Sequence, residues 1–159
     1  MNSAQTAMYY LCRPGRPVAA IAMESLTADR IEALLGAARA AREHAYAPYS
    51  KFAVGAALLD EHGGIHSGCN VENAAYPQGL CAEAVAIGHL VLAGSARIRA
   101  VAVVGAGPLL VTPCGGCRQK LREFAGDAVP VLVGDMARLR RRFTLGELLP
   151  ASFGPEHLA

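Results

Sequence analysis

Apolar residues fall along the chain in stretches of different period. From Thr27 onward, Ile31, Leu34, Leu35, Ala38 and Ala45 recur at helical spacing and lie largely on one face. Thr27 is a residue type that caps such a helix, Asp29 puts an acid in its first turn, and Ala47-Pro48 closes it. Residues 52–59 and 65–71 are runs of small and branched apolar residues joined by Asp60-Glu61-His62-Gly63-Gly64, which predicts a β-hairpin with a glycine-containing loop. A helix then opens near Cys81, with Val85, Ile87, Leu90 and Val91 as the positions expected to bury it. Residues 98–104 read as a third strand, 105–113 as a loop, 114–124 as a further helix and 129–133 as a fourth strand. Thr144-Leu145-Gly146-Glu147 has the form of a capping box. A hairpin followed by helix, strand, helix and strand predicts an α/β sandwich with a mixed sheet.

The first 25 residues carry no sustained period and contain Pro14 and Pro17, so they are read as a loosely docked arm preceding a domain at residues 26–159, with Met23 as an alternative start. Composition sharpens the picture of the domain. A hydrophobic fraction of 53% with 6% aromatic residues and no Trp describes a core of Ala, Val and Leu, which suits tight layers of helix on sheet. The chain of 159 residues is long enough for one domain with a real core. Its net charge of +2 is too small to imply a polyanion partner, and only residues 138–142 form a basic cluster, read as a solvated or intersubunit face. No apolar run approaches the roughly 20 residues of a membrane helix, and the first residues lack the build of a signal peptide.

Chemistry concentrates between residues 76 and 117. Cys81, Cys114 and Cys117 supply three ligands for a zinc ion, leaving one tetrahedral position open, whereas a closed structural site wants four. Glu83 stands two residues after Cys81 at a helix start, beside the metal without being a ligand, the place for a general acid and base. Thiolates free to bind metal imply a reducing compartment, read as the cytoplasm. Cys12 and Cys69 are left over, and both a disulfide and free buried thiols remain open. His44, His62, His66, His89 and His157 are scattered, and no metal is assigned to them.

Around this constellation stand Tyr49-Ser50-Lys51-Phe52-Ala53-Val54-Gly55-Ala56-Ala57, Gly68-Cys69-Asn70-Val71-Glu72-Asn73-Ala74-Ala75-Tyr76 and Leu148-Leu149-Pro150-Ala151-Ser152-Phe153. Together with the cysteines and Glu83 they resemble the small, tetrameric class of cytidine deaminase, over roughly residues 27–153. The resemblance implies a three-layer α/β/α sandwich around a five-stranded mixed sheet, with a last strand near 136–142. It also implies one Zn2+ per chain held by Cys81, Cys114 and Cys117, with Glu83 catalytic. A small-molecule nucleoside would be bound by Phe52 at the pyrimidine, Asn70 and Glu72 at the ribose, and the backbone of Ala82 at the ring edge. Tyr76 and Phe153 would complete a neighbouring subunit's pocket in a homotetramer.

The expected reaction is hydrolytic deamination of cytidine and deoxycytidine in pyrimidine salvage, with no nucleic acid or membrane as partner. One position departs from the pattern: Ala84 follows Glu83 where the tri-cysteine class commonly has Arg. That leaves open how the thiolate charge is balanced, with Arg118 and Arg122 as the candidates. Rival readings are a deaminase of nucleoside analogues, a deaminase of polynucleotides and a non-catalytic zinc module.

Overall fold

The computed structural model describes residues 26–158, so the arm at residues 1–25 and Cys12 lie outside the described residues. In chain order the elements are α1 (Ala28–Arg42), β1 (Val54–Asp60), β2 (Ile65–Cys69), α2 (Ala82–Leu92), β3 (Ile98–Gly105), α3 (Gly115–Arg122), β4 (Pro130–Gly134), β5 (Leu139–Thr144) and a single turn, α4 (Leu145–Leu148). The five strands form one sheet in the order β2-β1-β3-β4-β5. Only β3 and β4 run parallel; the other three pairings are antiparallel, so the sheet is mixed.

Period-2 alternation divides the core into two halves. Ala56, Leu58, Val101, Val103, Val131 and Val133 face α2 and α3, whereas Ala57, Leu59, Ala100, Ala102, Val104 and Leu132 face α1. Each set packs with residues of its own helices, Ala86, Leu90 and Leu121 on one side and Leu34, Leu35 and Ala38 on the other. The result is the three-layer α/β/α sandwich expected from the sequence, with α1 alone on one face.

Two glycines set the spacing of these layers. A Cβ on Gly55 would lie 1.9 Å from the Ala38 carbonyl oxygen, so α1 rests directly on the backbone of β1. On the opposite face a Cβ on Gly68 would lie 2.5 Å from the Ala86 nitrogen and 2.7 Å from the Ala82 oxygen, so the first turns of α2 rest on β2. This contact decides which face of α2 is buried. Ala82, Ala86 and Leu90, four residues apart, point inward with Glu83 and Ile87, whereas Val91, expected in the core, is 49% exposed and Val85 is half-buried.

α1 also ends earlier than its apolar pattern suggests. Glu43 caps it, and the chain is drawn away by Tyr46, whose N–H donates to the Asn70 carbonyl at 3.0 Å and whose carbonyl accepts the Glu72 N–H at 2.8 Å. At the far end of the hairpin, Asp60 is buried and accepts from the N–H groups of His62 and Gly64, from Ser95 Oγ at 2.8 Å and from His66 Nε2 at 2.7 Å. That one carboxylate ties the hairpin loop to the segment entering β3. Thr144 and Glu147 close the capping box of α4. Among the described residues no helix is long and apolar enough to cross a membrane.

Candidate active site

Cys81 and Cys114 are the N-cap residues of α2 and α3, and neither N-terminus has a capping side-chain oxygen. Sulfur takes that role. The Cys117 N–H, at the third helical position, bonds to the Cys114 sulfur as it would to a Ser or Asp cap. The positive ends of both helices thereby face the thiols. The Cys81 and Cys114 Sγ atoms are 3.8 Å apart, and the three sulfurs all lie within 4.8 Å of one another. A zinc ion with Zn–S bonds of 2.3 Å demands a tetrahedral edge of about 3.8 Å, so the donor set fits zinc in both chemistry and spacing.

Glu83 sits at the second position of α2 and is 4% exposed. Burial, followed by the charge of this carboxylate and its hydrogen bond, pushes the Cys117 thiol far up. Cys81 is likewise raised, first by burial. Burial acts the same way on Cys114, but the Cys117 N–H and the neighbouring thiols outweigh it and lower that group. A divalent metal reverses the preference, because a coordinating thiol is deprotonated outright.

The predicted sugar-side residues lie just beyond β2, and their side chains fold back on the segment leading into β1. Asn70 Oδ1 accepts the Val54 N–H and Asn70 Nδ2 donates to the Phe52 carbonyl, each at 2.9 Å. Glu72 Oε2 accepts the N–H groups of Tyr49 at 2.9 Å and Ser50 at 3.2 Å. The Ser50 hydroxyl first, then these two N–H groups, hold the Glu72 carboxyl below its usual range. Lys51 adopts a left-handed φ of 57° within the loop so pinned. Tyr49, Ser50, Glu72, Asn73, Tyr76 and Gly79 line a cleft of about 370 Å³. The Tyr49 and Tyr76 rings are 5.8 Å apart. Phe52, Tyr76 and Phe153 are 43%, 75% and 56% exposed, a set of aromatic side chains without cover in the single chain.

Residues 28–133 match the model of the cytidine and deoxycytidylate deaminase zinc-binding region. The chain belongs to this family. The cytidine deaminase of Sporosarcina psychrophila is 43% identical to it over 129 residues, covering 81% of this chain and 95% of the relative. That of Mycobacterium tuberculosis is 44% identical over 125 residues, covering 79% and 90%. The crystal structure of cytidine deaminase from Burkholderia pseudomallei superposes with a TM-score of 0.73 at 44% identity, covering 77% of this chain and 98% of that one. This deaminase therefore carries the family's zinc-binding region on the family's fold.

Neither candidate arginine is directed at the deaminase's thiolates. Arg118 donates to the carbonyls of Pro113 and Leu148 and to Thr112 Oγ1, and Arg122 donates to Ser152 Oγ and pairs with Glu156. What faces the sulfurs instead is the Cys117 N–H, at Cys114, and the positive ends of α2 and α3. Sequence reasoning also missed Tyr49 and Ser50 as walls of the cleft.

Proposed function

We propose that the domain at residues 26–159 hydrolyses cytidine and deoxycytidine to uridine and deoxyuridine with release of ammonia, as a homotetramer in cytoplasmic pyrimidine salvage. The observation that carries this reading is Glu83, a buried carboxylate on the turn that follows Cys81 and in contact with Cys117. Zinc, when bound, supplies the Lewis acidity that makes water nucleophilic at neutral pH. Glu83 takes a proton from the attacking water as its oxygen bonds to the amino-bearing ring carbon, and delivers it to the ring nitrogen. The same carboxylate returns a second proton to the amino group as the carbon–nitrogen bond breaks and ammonia leaves. Its burial keeps bulk water from intercepting these transfers.

Recognition uses the pinned loop. Phe52 packs against the pyrimidine, Asn70 and Glu72 receive ribose hydroxyls, and the Ala82 main chain reads the ring edge. Glu72 is suited to this because it is held ionised and has a second oxygen besides the one bound to Tyr49 and Ser50. The exposed Tyr76 and Phe153 complete the pocket of an adjacent subunit, which supports a tetramer with shared active sites.

The test is the loss of cytidine absorbance on adding zinc-assayed protein, with Glu83→Gln beside it. Conversion to uridine that falls about 10²- to 10⁴-fold in the variant, at unchanged zinc content, is the expected result. Full zinc with no turnover of cytidine refutes the substrate, and equal rates for the two proteins refute the proton carrier.

A further inference from the structure

We propose that Arg122, assisted by Gln119 and Arg118, is a positioning residue for Phe153, so that the helix carrying the zinc ligand Cys117 also shapes the aromatic wall of the neighbouring pocket. The inference rests on the reading of Phe153 as a substrate contact given above. Arg118, Gln119 and Arg122 occupy neighbouring positions of α3, and all three reach the C-terminal segment. Arg118 Nη1 donates to the Leu148 carbonyl at 2.7 Å while its Nε holds the Pro113 carbonyl at 2.7 Å, joining that segment to the residue before Cys114. Gln119 Nε2 donates to the Phe153 carbonyl at 2.9 Å. Arg122 Nε donates to Ser152 Oγ at 2.9 Å and lies 3.6 Å from Asp127 Oδ1, and its Nη2 pairs with Glu156.

The segment is wrapped closely around Arg122, whose side chain is 12% exposed. A Cβ on Gly154 would fall 2.5 Å from Glu156 Oε2 and 2.6 Å from the Arg122 guanidinium carbon, so the main chain at this position lies directly against that ion pair. Ala151, at a left-handed φ of 51°, turns the chain into the clamp. The anchors grip main-chain and polar atoms on both sides of Phe153, and the ring, stacked on His157 at 4.9 Å, stays 56% exposed. A clamp serving only to bury the tail would draw the aromatic ring inward. This one presents it outward.

The experiment measures kcat, KM, zinc content and Tm for Arg122→Met, Gly154→Ala and Phe153→Ala with cytidine. Arg122→Met is expected to raise KM roughly tenfold, as losing one aromatic–base contact does, with about one zinc per chain and little change in kcat. Should that variant fail to fold, Gly154→Ala presses a methyl against the Glu156 carboxylate and the Arg122 guanidinium, disturbing the clamp without removing either charged group, and carries the same expectation. A raised KM in Phe153→Ala with an unchanged KM in the clamp variant overturns the proposal alone. An unchanged KM in Phe153→Ala overturns both it and the reading beneath it. Hybrids of Arg122→Met chains with Glu83→Gln chains place intact Phe153 beside competent Glu83, so part of their sites should regain the wild-type KM. Hybrids whose KM stays uniformly raised overturn action across the interface.

Discussion

Gly68→Ala tests whether the active site is set by the contact of α2 with β2. The new methyl would sit 2.5 Å from the Ala86 nitrogen and 2.7 Å from the Ala82 oxygen, whereas ordinary contact begins at 3.4 Å. All of these neighbours are main-chain atoms or the Cβ of Val85, so no side chain can swing aside. The first turns of α2 must therefore retreat by about 1 Å, because a packed core has no free volume to absorb a methyl. Overpacking of this kind costs about 1–3 kcal/mol. For a chain of this size that lowers Tm by roughly 3–10 °C, compared at fixed protein concentration. Cys81 and Glu83 ride on the displaced turn, and a misplacement of about 1 Å at a reacting group reduces kcat on the order of 100-fold. Zinc per chain, melting temperature and the initial rate of cytidine loss provide the assay. Gly36→Ala, placed in α1 where a Cβ meets nothing within 4 Å, is the control expected to retain both activity and stability. A Gly68→Ala protein with full zinc and a kcat within about threefold of wild type would refute the argument.

Asp60→Asn reports on the carboxylate that closes the hairpin. Burial by itself would raise this carboxyl, but bonds from His66, Ser95, Gly64 and His62 outweigh it and hold the group far below its ordinary 3.8. Its contribution is therefore complete above the unfolded value and is lost as pH falls from about 4 toward the depressed folded value. Melts between about pH 5 and pH 2 should show that loss in the wild type and a flatter profile, from a lower starting Tm, in the variant. Asn70→Ala removes two bonds to the Phe52–Val54 backbone and should cost about 1–3 kcal/mol in urea unfolding while raising KM for cytidine. Glu72→Gln exchanges a charged acceptor for a neutral one at the cleft. It should raise KM about tenfold or more in steady-state assays, and an unchanged KM would place the ribose elsewhere.

Apolar runs were sufficient to place β1, β3 and β4 as strands, because each is almost uniformly apolar and buried on both faces. Periodicity failed where a backbone contact overrode it. Val91 is apolar and helical in register, yet the α2 face that packs is the one with Ala82 and Ala86, small enough to let the helix down onto Gly68. β5 was legible only through the family likeness, since Arg140, Arg141 and Arg142 on an exposed edge carry no alternating signal; it runs from Leu139 to Thr144, later than expected. The cluster of Cys81, Cys114 and Cys117 was legible from type and spacing because metal chemistry restricts both. The dual task of Asn70 and Glu72, which brace a loop with the groups expected to meet the sugar, was not. Hydrogen bonds that cross from one hairpin arm to the chain before it leave no trace in spacing. Whether Arg118 or Arg122 meets the thiolates was likewise left open by the sequence, because proximity along the chain gives no direction; both reach along α3 to the C-terminal segment.

Cys81 and Cys114 are 33 residues apart, and the strand between them, β3, is the central strand of the sheet. Their sulfurs are held together in the folded chain by β3, which pairs with β1 and carries α2 and α3 on the same face. Before this arrangement forms, the nascent chain offers zinc no more than the neighbouring pair Cys114 and Cys117, and joining Cys81 to them requires closing a long loop. Metal capture is thus a late event in folding and a selective one. A one-residue slip of β3 would turn Val101 and Val103 toward α1 and leave the two ligand-bearing helices without a common floor. Zinc uptake by a refolding chain would then act as a checkpoint on register, retaining the correct topology and passing over its near misses.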